Sequence, residues 1–184
     1  MLEGELQYIK EAQGGNGEAF GKLYHYYLPK IYRFVLLKVN NKGEAEDLVH
    51  EVFMSAWQHI HSYASRGFPF SSWVYQIARN KIIDSYRTKK QHLRLDDFED
   101  TYFKVPERQS KELNNTLDLE RVQSFIKLLK QDHQDVLIMR FVDDLSHQEI
   151  ASAIGKSEGA VRLIQHRALQ NLKAIIEEHY GPIT

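Results

Sequence analysis

Apolar residues recur at intervals of three and four along most of the chain, a spacing that predicts amphipathic helices. Pro29 lies inside the first long helix and predicts a break or kink near Leu28, because proline has no N–H to donate. Residues 62–69 combine Gly and Pro and predict a loop. We therefore expect an all-α fold. The predicted helices cover residues 18–39, 44–61, 73–86, 119–129, 132–141 and, as two helices, 146–178.

Polar residues at two of the predicted helix starts are suited to capping. Asn41 stands three residues before Glu44, a spacing that favours an N-terminal cap for the second helix. Ser71 or Ser72 is expected to cap the third helix.

The helical pattern stops near Lys90 and returns near Leu119, which divides the chain into two small helical domains. The intervening residues are polar and acidic, include Pro106 and show no sustained apolar stripe, so we expect a flexible acidic linker. The predicted organisation is a first domain over residues 1–90, a linker over 91–117 and a second domain over 118–184.

The most informative stretch predicts a helix-turn-helix over residues 146–172. Ser146 and Glu149 have the spacing of a capping box, and Gly155 stands where the first helix must end in a left-handed residue. Ser157 is expected to cap the second helix, and Ala151 is small enough to allow two helices to cross closely. The expected buried positions are Ile150, Ala151, Ile154, Val161, Ile164, Ala168 and Leu172.

A polar and basic stripe lies opposite Val161 when the second helix is turned by about 100° per residue. Arginine, histidine and glutamine on one exposed face suit contacts with phosphates and base edges in a major groove. The alternative is that Arg162 and Arg167 only keep the helix soluble, but the capped turn before them favours DNA binding. The predicted contacts are Ser157, Gly159, Arg162, Leu163, His166, Arg167 and Gln170.

The formal net charge of −1 conceals three segments of alternating sign. Residues 66–94 hold seven basic residues and one acid, residues 95–120 hold three basic residues and eight acids, and residues 156–173 hold four basic residues and one acid. Two places that bind a polyanion, joined by an acidic connector, would explain this order.

Composition excludes several other classes of protein. The chain has no cysteine, which excludes disulfides, thiolate metal sites and cysteine nucleophiles. It has no apolar run of about 18 residues and no basic start followed by an apolar core, so we expect neither membrane insertion nor a signal peptide. No HExxH or GxxxxGK[ST] motif is present, and His59 and His61 do not share a helix face. We therefore expect no enzyme activity, no metal and no cofactor.

Two blocks of residues resemble the extracytoplasmic-function class of bacterial sigma factors. The first block runs from Ala45 to Phe53 with Ala56-Trp57, and continues from Phe70 to Asn80. The second is the helix-turn-helix, with residues 160–162 and 166–169 in place. Both occur in the family's order and separation, and the likeness extends over residues 18–173. It implies a cytoplasmic specificity subunit that directs bacterial core RNA polymerase to promoters, recognises them and melts them to initiate transcription.

The resemblance also implies which surfaces carry each task. The first domain would bind the clamp helices of the largest polymerase subunit and open the minus-ten element, with the loop 62–68 cradling a flipped base. The second domain would bind the minus-thirty-five element. The implied minus-ten contacts are Tyr63, Arg66, Trp73, Gln76, Arg79, Asn80, Lys81 and Arg87. The implied polymerase contacts are Asp47, Leu48, Glu51, Val52 and Trp57.

Several of these assignments have simpler alternatives. Leu48, Val52, Trp57 and Trp73 also suit the core of the first domain, and the acids of the second helix also suit an ordinary solvated face. The linker acids suit either a channel of the polymerase or a plain tether.

The expected partners are core polymerase, promoter DNA and, from family habit, an anti-sigma factor. The main alternative is a regulator that binds duplex DNA without polymerase, which would leave the first domain's acidic helix and aromatic loop unexplained.

Overall fold

The computed structural model describes residues 2–39, 41–64, 68–93 and 123–181, with no strand among them. A 3-10 turn at Ile60–Ser62 follows the third helix, and residues 123–127 form a further short helix. The principal helices are α1 Glu5–Gln13, α2 Gly17–Lys38, α3 Lys42–His59, α4 Phe70–Leu93, α5 Gln131–Phe141, α6 His147–Ile154 and α7 Glu158–Tyr180.

Helix α2 forms the centre of the first domain and packs against α1, α3 and α4. Leu23, Ile31 and Phe34 on its inner face are completely buried, and the ring of Phe34 meets Tyr75 of α4 edge-on at 5.3 Å. The helix runs without interruption through Pro29, so of the predicted break or kink, the break is wrong. Apolar packing on both sides of Pro29 outweighs the loss of one backbone hydrogen bond.

The start of α3 confirms one predicted cap, since the Asn41 side chain accepts a hydrogen bond from Glu44 N at 2.8 Å. The start of α4 differs from the prediction. The helix begins at Phe70, directly after Pro69, so Ser71 and Ser72 lie inside its first turn and do not cap it.

The predicted linker begins too early in the sequence. Helix α4 continues to Leu93, three residues into the range 91–117. The remainder of that range lies outside the described residues, as do Arg66 and the acids at 96, 97, 99 and 100.

The helix-turn-helix of the second domain follows the sequence prediction closely. Ser146 and Glu149 form the reciprocal capping box, with distances of 2.8 and 3.2 Å. Gly155 ends α6 in the left-handed conformation at φ 68°, and Ser157 accepts a hydrogen bond from Ala160 N at the start of α7. All seven predicted inward positions are buried or half-buried.

The two domains pack against each other, α6 on α4 and α5 on α2. Their apolar residues form one continuous cluster, from Ile9 in α1 to Val161 in α7. The two domains are evident from the sequence pattern, but this contact between them is not.

Among the described residues, no helix has the length and apolar content needed to cross a membrane. Within the same ranges, no group of three or more His, Asp or Glu side chains is arranged to hold a metal ion.

Candidate nucleic-acid interfaces

Helix α7 presents the predicted major-groove stripe to solvent. Helical rotation fixes this orientation, because Val161 and Ala168 are completely buried on the opposite side. Leu163 is 48% exposed, so its side chain is accessible to a base or a sugar. Arg162 forms an ion pair with Glu158 at 2.6 Å, one turn earlier. The exposed members are Ser157, Gly159, Arg162, Leu163, His166, Arg167 and Gln170.

An aromatic cluster at the start of α4 borders an open cavity beside the predicted base-cradling loop. The ring of Tyr63 lies 5.4 Å from Phe70 and 5.0 Å from Trp73, between ring centroids. The cavity has a volume of about 340 Å³, and its walls include Tyr63, Phe68, Trp73 and Gln76. Trp73 is half-buried, so it is part of the packed cluster and of the cavity wall at once.

The basic residues predicted for the minus-ten element differ in their surroundings. Asn80 and Arg87 are exposed, and Arg87 Nη2 forms an ion pair with Asp84 Oδ1 of its own helix at 3.2 Å. Lys81 Nζ forms an ion pair with Glu51 Oε2 of α3 at 3.1 Å. This ion pair connects the predicted DNA-binding face with the predicted polymerase-binding face. Arg79 is half-buried and contacts the second domain.

Arg79 belongs to a cluster of five charges between the domains. Its Nε donates to Asp135 and its Nη2 donates to Asp132, each at 2.8 Å. Lys38 donates to the other oxygen of Asp135, and both of these side chains are completely buried. Lys156 approaches Asp132 at 3.3 Å. Helices α2, α4 and α5 thus meet through opposite charges.

Burial shifts the pKa values of charged groups in this cluster towards the neutral forms, and the hydrogen bonds within the cluster shift them in the opposite direction. Burial lowers the pKa of Lys38, and the charge and hydrogen bond of Asp135 counteract it. Burial also disfavours the charged form of Asp132, but the hydrogen bonds from Lys156 and Arg79 outweigh it and hold the pKa of that carboxyl below its usual range.

Helix α6 of the second domain lies over the start of α4. Ser72 Oγ donates to the backbone oxygen of Glu149 at 3.0 Å, and Ser71 Oγ donates to the Glu149 carboxylate at 3.3 Å. Ser152 of α6 lines the 340 Å³ cavity together with the aromatic residues. In this arrangement the second domain covers part of the surface predicted to bind the minus-ten strand.

The residues predicted to bind polymerase are divided between surface and core. Asp47 and Glu51 are exposed one turn apart on α3. Trp57 is half-buried, with its ring 5.0 Å from Phe20. Leu48 is 6% exposed. Val52 is completely buried, so it belongs to the core and offers no surface for a partner. This corrects the assignment of Val52 as a contact residue: it lies on the inner face of the helix.

Both domains match known family models. Residues 23–92 match Sigma-70 region 2, and residues 125–174 match Sigma-70, region 4. The chain is also 31% identical over 179 residues to the ECF RNA polymerase sigma factor SigW of Bacillus subtilis (strain 168), over 90% of this chain and 92% of SigW. The chain belongs to the ECF class of RNA polymerase sigma factors. As a sigma factor, it directs RNA polymerase to promoters for the initiation of transcription.

Two further relatives extend the comparison. The sigma factor is 32% identical over 166 residues to SigX of Bacillus subtilis (strain 168), over 87% of this chain and 84% of SigX. It is 29% identical over 174 residues to BldN of Streptomyces coelicolor (strain ATCC BAA-471 / A3(2) / M145), where it spans 94% of its own length and 66% of BldN.

Solved structures share the fold of this sigma factor. CnrH, determined in complex with the cytosolic domain of CnrY, superposes with a TM-score of 0.72 at 23% identity, over 93% of this chain and 96% of CnrH. RpoE from Bartonella quintana, determined with the anti-sigma factor NepR, gives a TM-score of 0.67 at 20% identity, over 86% and 96% of the two chains. At these identities the likeness concerns the fold.

The acids that hold Arg79 are not among the residues predicted for the site, although the sequence contains a signal for them. Lys38 continues the apolar spacing of Ile31, Phe34 and Val35, and Asp135 directly precedes the apolar run Val136–Met139. A lysine and an aspartate at two core positions of a chain indicate a buried pair.

Proposed function

We propose that this sigma factor binds the minus-thirty-five element through the exposed stripe of α7. The observation that carries this proposal is the capped turn that leads into α7, followed by Arg162, His166 and Arg167 exposed on one face. A helix that projects such side chains beyond a rigid turn fits the major groove. The arginines supply phosphate or guanine contacts, and Leu163 supplies an apolar contact to a thymine methyl group.

The minus-ten element is assigned to the first domain. The cavity beside Tyr63 and Trp73 is large enough to admit an unstacked base, and its aromatic walls suit stacking. Gln76, Asn80 and Arg79 on α4 continue from this cavity and supply polar and cationic groups for the displaced strand. Arg66 and Arg87 are assigned as additional phosphate contacts.

In the closed arrangement, in which the two domains are in contact, the Arg79 guanidinium donates to Asp132 and Asp135. Arg79 can therefore bind DNA only after the two domains separate. Separation also removes Ser152 from the cavity. The closed form is therefore assigned to the free protein and the open form to the polymerase-bound state.

The polymerase contact is assigned to α3, through the exposed acids Asp47 and Glu51, with the half-buried Trp57 and the largely buried Leu48 beside them. The partner is the pair of clamp helices in the largest core subunit. Charge reversal by Asp47→Lys should weaken association with core polymerase while the far-UV circular dichroism stays unchanged. Glu178→Lys, an exposed acid on α7, is the matched control.

An anti-sigma factor is proposed as a further partner, and the chain is assigned to the cytoplasm as a binding protein without catalytic activity. Support comes from CnrH and RpoE, whose structures were determined with CnrY and with the anti-sigma factor NepR. A pull-down from the source cells tests the partner, and recovery of polymerase alone would argue against it.

The experiment that tests the proposal is in vitro transcription with bacterial core polymerase on a library of promoter fragments. Specific transcripts that depend on the added chain would establish the promoter sequence, and their loss with Arg162→Ala and Arg167→Ala would support the α7 assignment. Binding to duplex DNA without association with core polymerase would instead favour a stand-alone regulator.

A further inference from the structure

The segment before the sigma-70 match contributes a helix to the first domain. Helix α1 precedes residue 23, where the region 2 match begins, and packs against α2 and the 3-10 turn that follows α3. Ile9 and Ala12 are buried in the core, and the hydroxyl of Tyr27 in α2 donates to the buried carboxylate of Glu5. Because these contacts fix α1 on both sides, its last residue has a defined position.

That last residue, Gln13, reaches the turn at the end of α3. Its Nε2 donates to Ile60 O at 3.1 Å and to Tyr63 O at 2.6 Å, 47 and 50 residues further along the chain. Ile60 O also accepts a hydrogen bond from Tyr63 N at 3.0 Å, and a side-chain amide with two hydrogens can donate to both carbonyls. One side chain therefore connects the first helix with both ends of the 3-10 turn.

Tyr63 is fixed at its side chain as well as at its backbone. Its hydroxyl donates to Phe68 O at 3.1 Å, which joins the two described ends of the loop. Its ring packs between Phe70 and Trp73. Burial, with the nearby charge of Glu5, raises the pKa of the Tyr63 hydroxyl to about 12, so this donor keeps its proton at neutral pH. Tyr63 forms part of the cavity wall, and Gln13 holds the backbone from which that wall projects.

We propose that Gln13 is a positioning residue that sets the shape of the minus-ten base pocket through the backbone of Tyr63. This inference rests on the proposed function of the pocket. Gln13 does not line the cavity and would not touch DNA. A shift of a few tenths of an ångström at the Tyr63 carbonyl changes the width of the pocket, and a pocket discriminates between bases only while its walls stay in place.

The test compares four full-length proteins as holoenzymes with core polymerase: the unmodified chain, Gln13→Met, Gln13→Asn and Gln7→Met. Methionine keeps the length of glutamine without its donors, and asparagine keeps the amide but is one methylene shorter. Gln7 is the matched control, because it lies exposed on α1 and donates to Glu11 of the same helix at 2.9 Å. Transcription is measured on promoters that carry each of the four bases at every minus-ten position.

We expect Gln13→Met, which removes both hydrogen bonds, to reduce base discrimination at one minus-ten position about fivefold, equivalent to about 1 kcal/mol. Gln13→Asn should give a smaller loss at the same position, and Gln7→Met none. Association with core polymerase and binding of the minus-thirty-five duplex should stay unchanged, which a general loss of folding would not allow.

Unchanged discrimination in both Gln13 variants would overturn the proposal. A loss spread evenly over all positions, together with weaker polymerase association, would overturn it equally, because it indicates a structural role. Should Gln13→Met fail to fold, the result from Gln13→Asn decides. If the unmodified holoenzyme itself shows no base preference in the minus-ten element, the pocket assignment fails, and this outcome is distinct from a failure confined to Gln13.

Discussion

At the residue scale, Lys38 and Asp135 depend on each other because both charges are buried. Removing two charges from water costs several kcal/mol per ion, which only close pairing and further hydrogen bonds offset. Arg79 donates the additional hydrogen bond to Asp135. The contact between the domains is therefore specific for one alignment, since any slip leaves a charge buried without a partner.

Replacement of Asp135 by leucine should lower the free energy of unfolding by about 3–5 kcal/mol, because it leaves Lys38 and Arg79 without their shared carboxylate. The double change Lys38→Met and Asp135→Leu should recover much of that loss. Urea denaturation followed by circular dichroism measures both. Asp84→Ala, which removes an exposed pair with Arg87, is the control and should change stability by less than about 1 kcal/mol. Equal effects of Asp135→Leu and Asp84→Ala would contradict the interpretation.

Replacement of Arg162 by alanine should weaken binding to a minus-thirty-five duplex by about 1–3 kcal/mol, if its guanidinium reads a base edge. Fluorescence anisotropy with specific and scrambled duplexes measures the change. Lys173→Ala removes a cation further along α7 and should affect both duplexes alike. An equal loss on both duplexes for Arg162→Ala would reduce its role to a phosphate contact.

At the element scale, the helix-turn-helix owes its geometry to three short signals. The Ser146–Glu149 capping box starts α6, Gly155 ends it, and Ser157 starts α7. Each signal acts within a few residues, so the turn is defined locally, and the packing of α7 on α5 and α6 then orients the exposed stripe.

Gly155→Ala should therefore lower stability by about 1–2 kcal/mol, because alanine is strained at φ 68°. Space is not the cause, since a Cβ at this position would meet no atom within 4 Å. Gly21→Ala, inside α2 and equally unobstructed, should leave stability unchanged or raise it by about 0.5–1 kcal/mol. Thermal unfolding compares the two, and a loss for both or for neither would show that backbone conformation at 155 is not the cause.

Local signals explain which elements were predictable from the sequence. The caps at Asn41, Ser146 and Ser157 depend on neighbours three residues away, so pattern alone found them. Pro29 and Ser71 were misjudged because distant packing decides their surroundings: apolar contacts keep α2 intact, and Glu149, 78 residues away, binds Ser71. The exposed stripe of α7 was predicted from periodicity, whereas the acids around Arg79 come from another domain.

At the scale of the whole molecule, the closed arrangement is too small to reach both promoter elements at once. A compact chain of this length has a radius of gyration of about 16 Å. The two elements lie, by their names, about 25 base pairs apart, or roughly 85 Å at about 3.4 Å per pair. Residues 94–122 are long enough to bridge this distance, since a chain spans up to about 3.3 Å per residue. The proposed binding of one element by each domain therefore requires the domains to separate on the promoter.

The opening can be measured with a pair of fluorophores, because the chain contains no cysteine. Cysteines introduced at Glu46 on α3 and Glu178 on α7, both exposed, label the two domains. Energy transfer between them should fall when core polymerase and promoter DNA are added. A second pair at Gln7 and Glu46 lies within the first domain and should report no change. Constant transfer in the first pair would mean that the closed arrangement persists on the promoter.

The buried pair at Lys38 and Asp135 also has a consequence for inheritance. A homologue that loses one of the two charges keeps an unpaired buried ion at the interface between its domains. A single replacement therefore destabilises the protein, whereas replacement of both residues does not leave a buried ion. Among descendants of this chain, positions 38 and 135 are expected to vary together, although 97 residues separate them. Correlated substitution at these two positions would indicate, from sequences alone, that the two domains contact each other in the free protein.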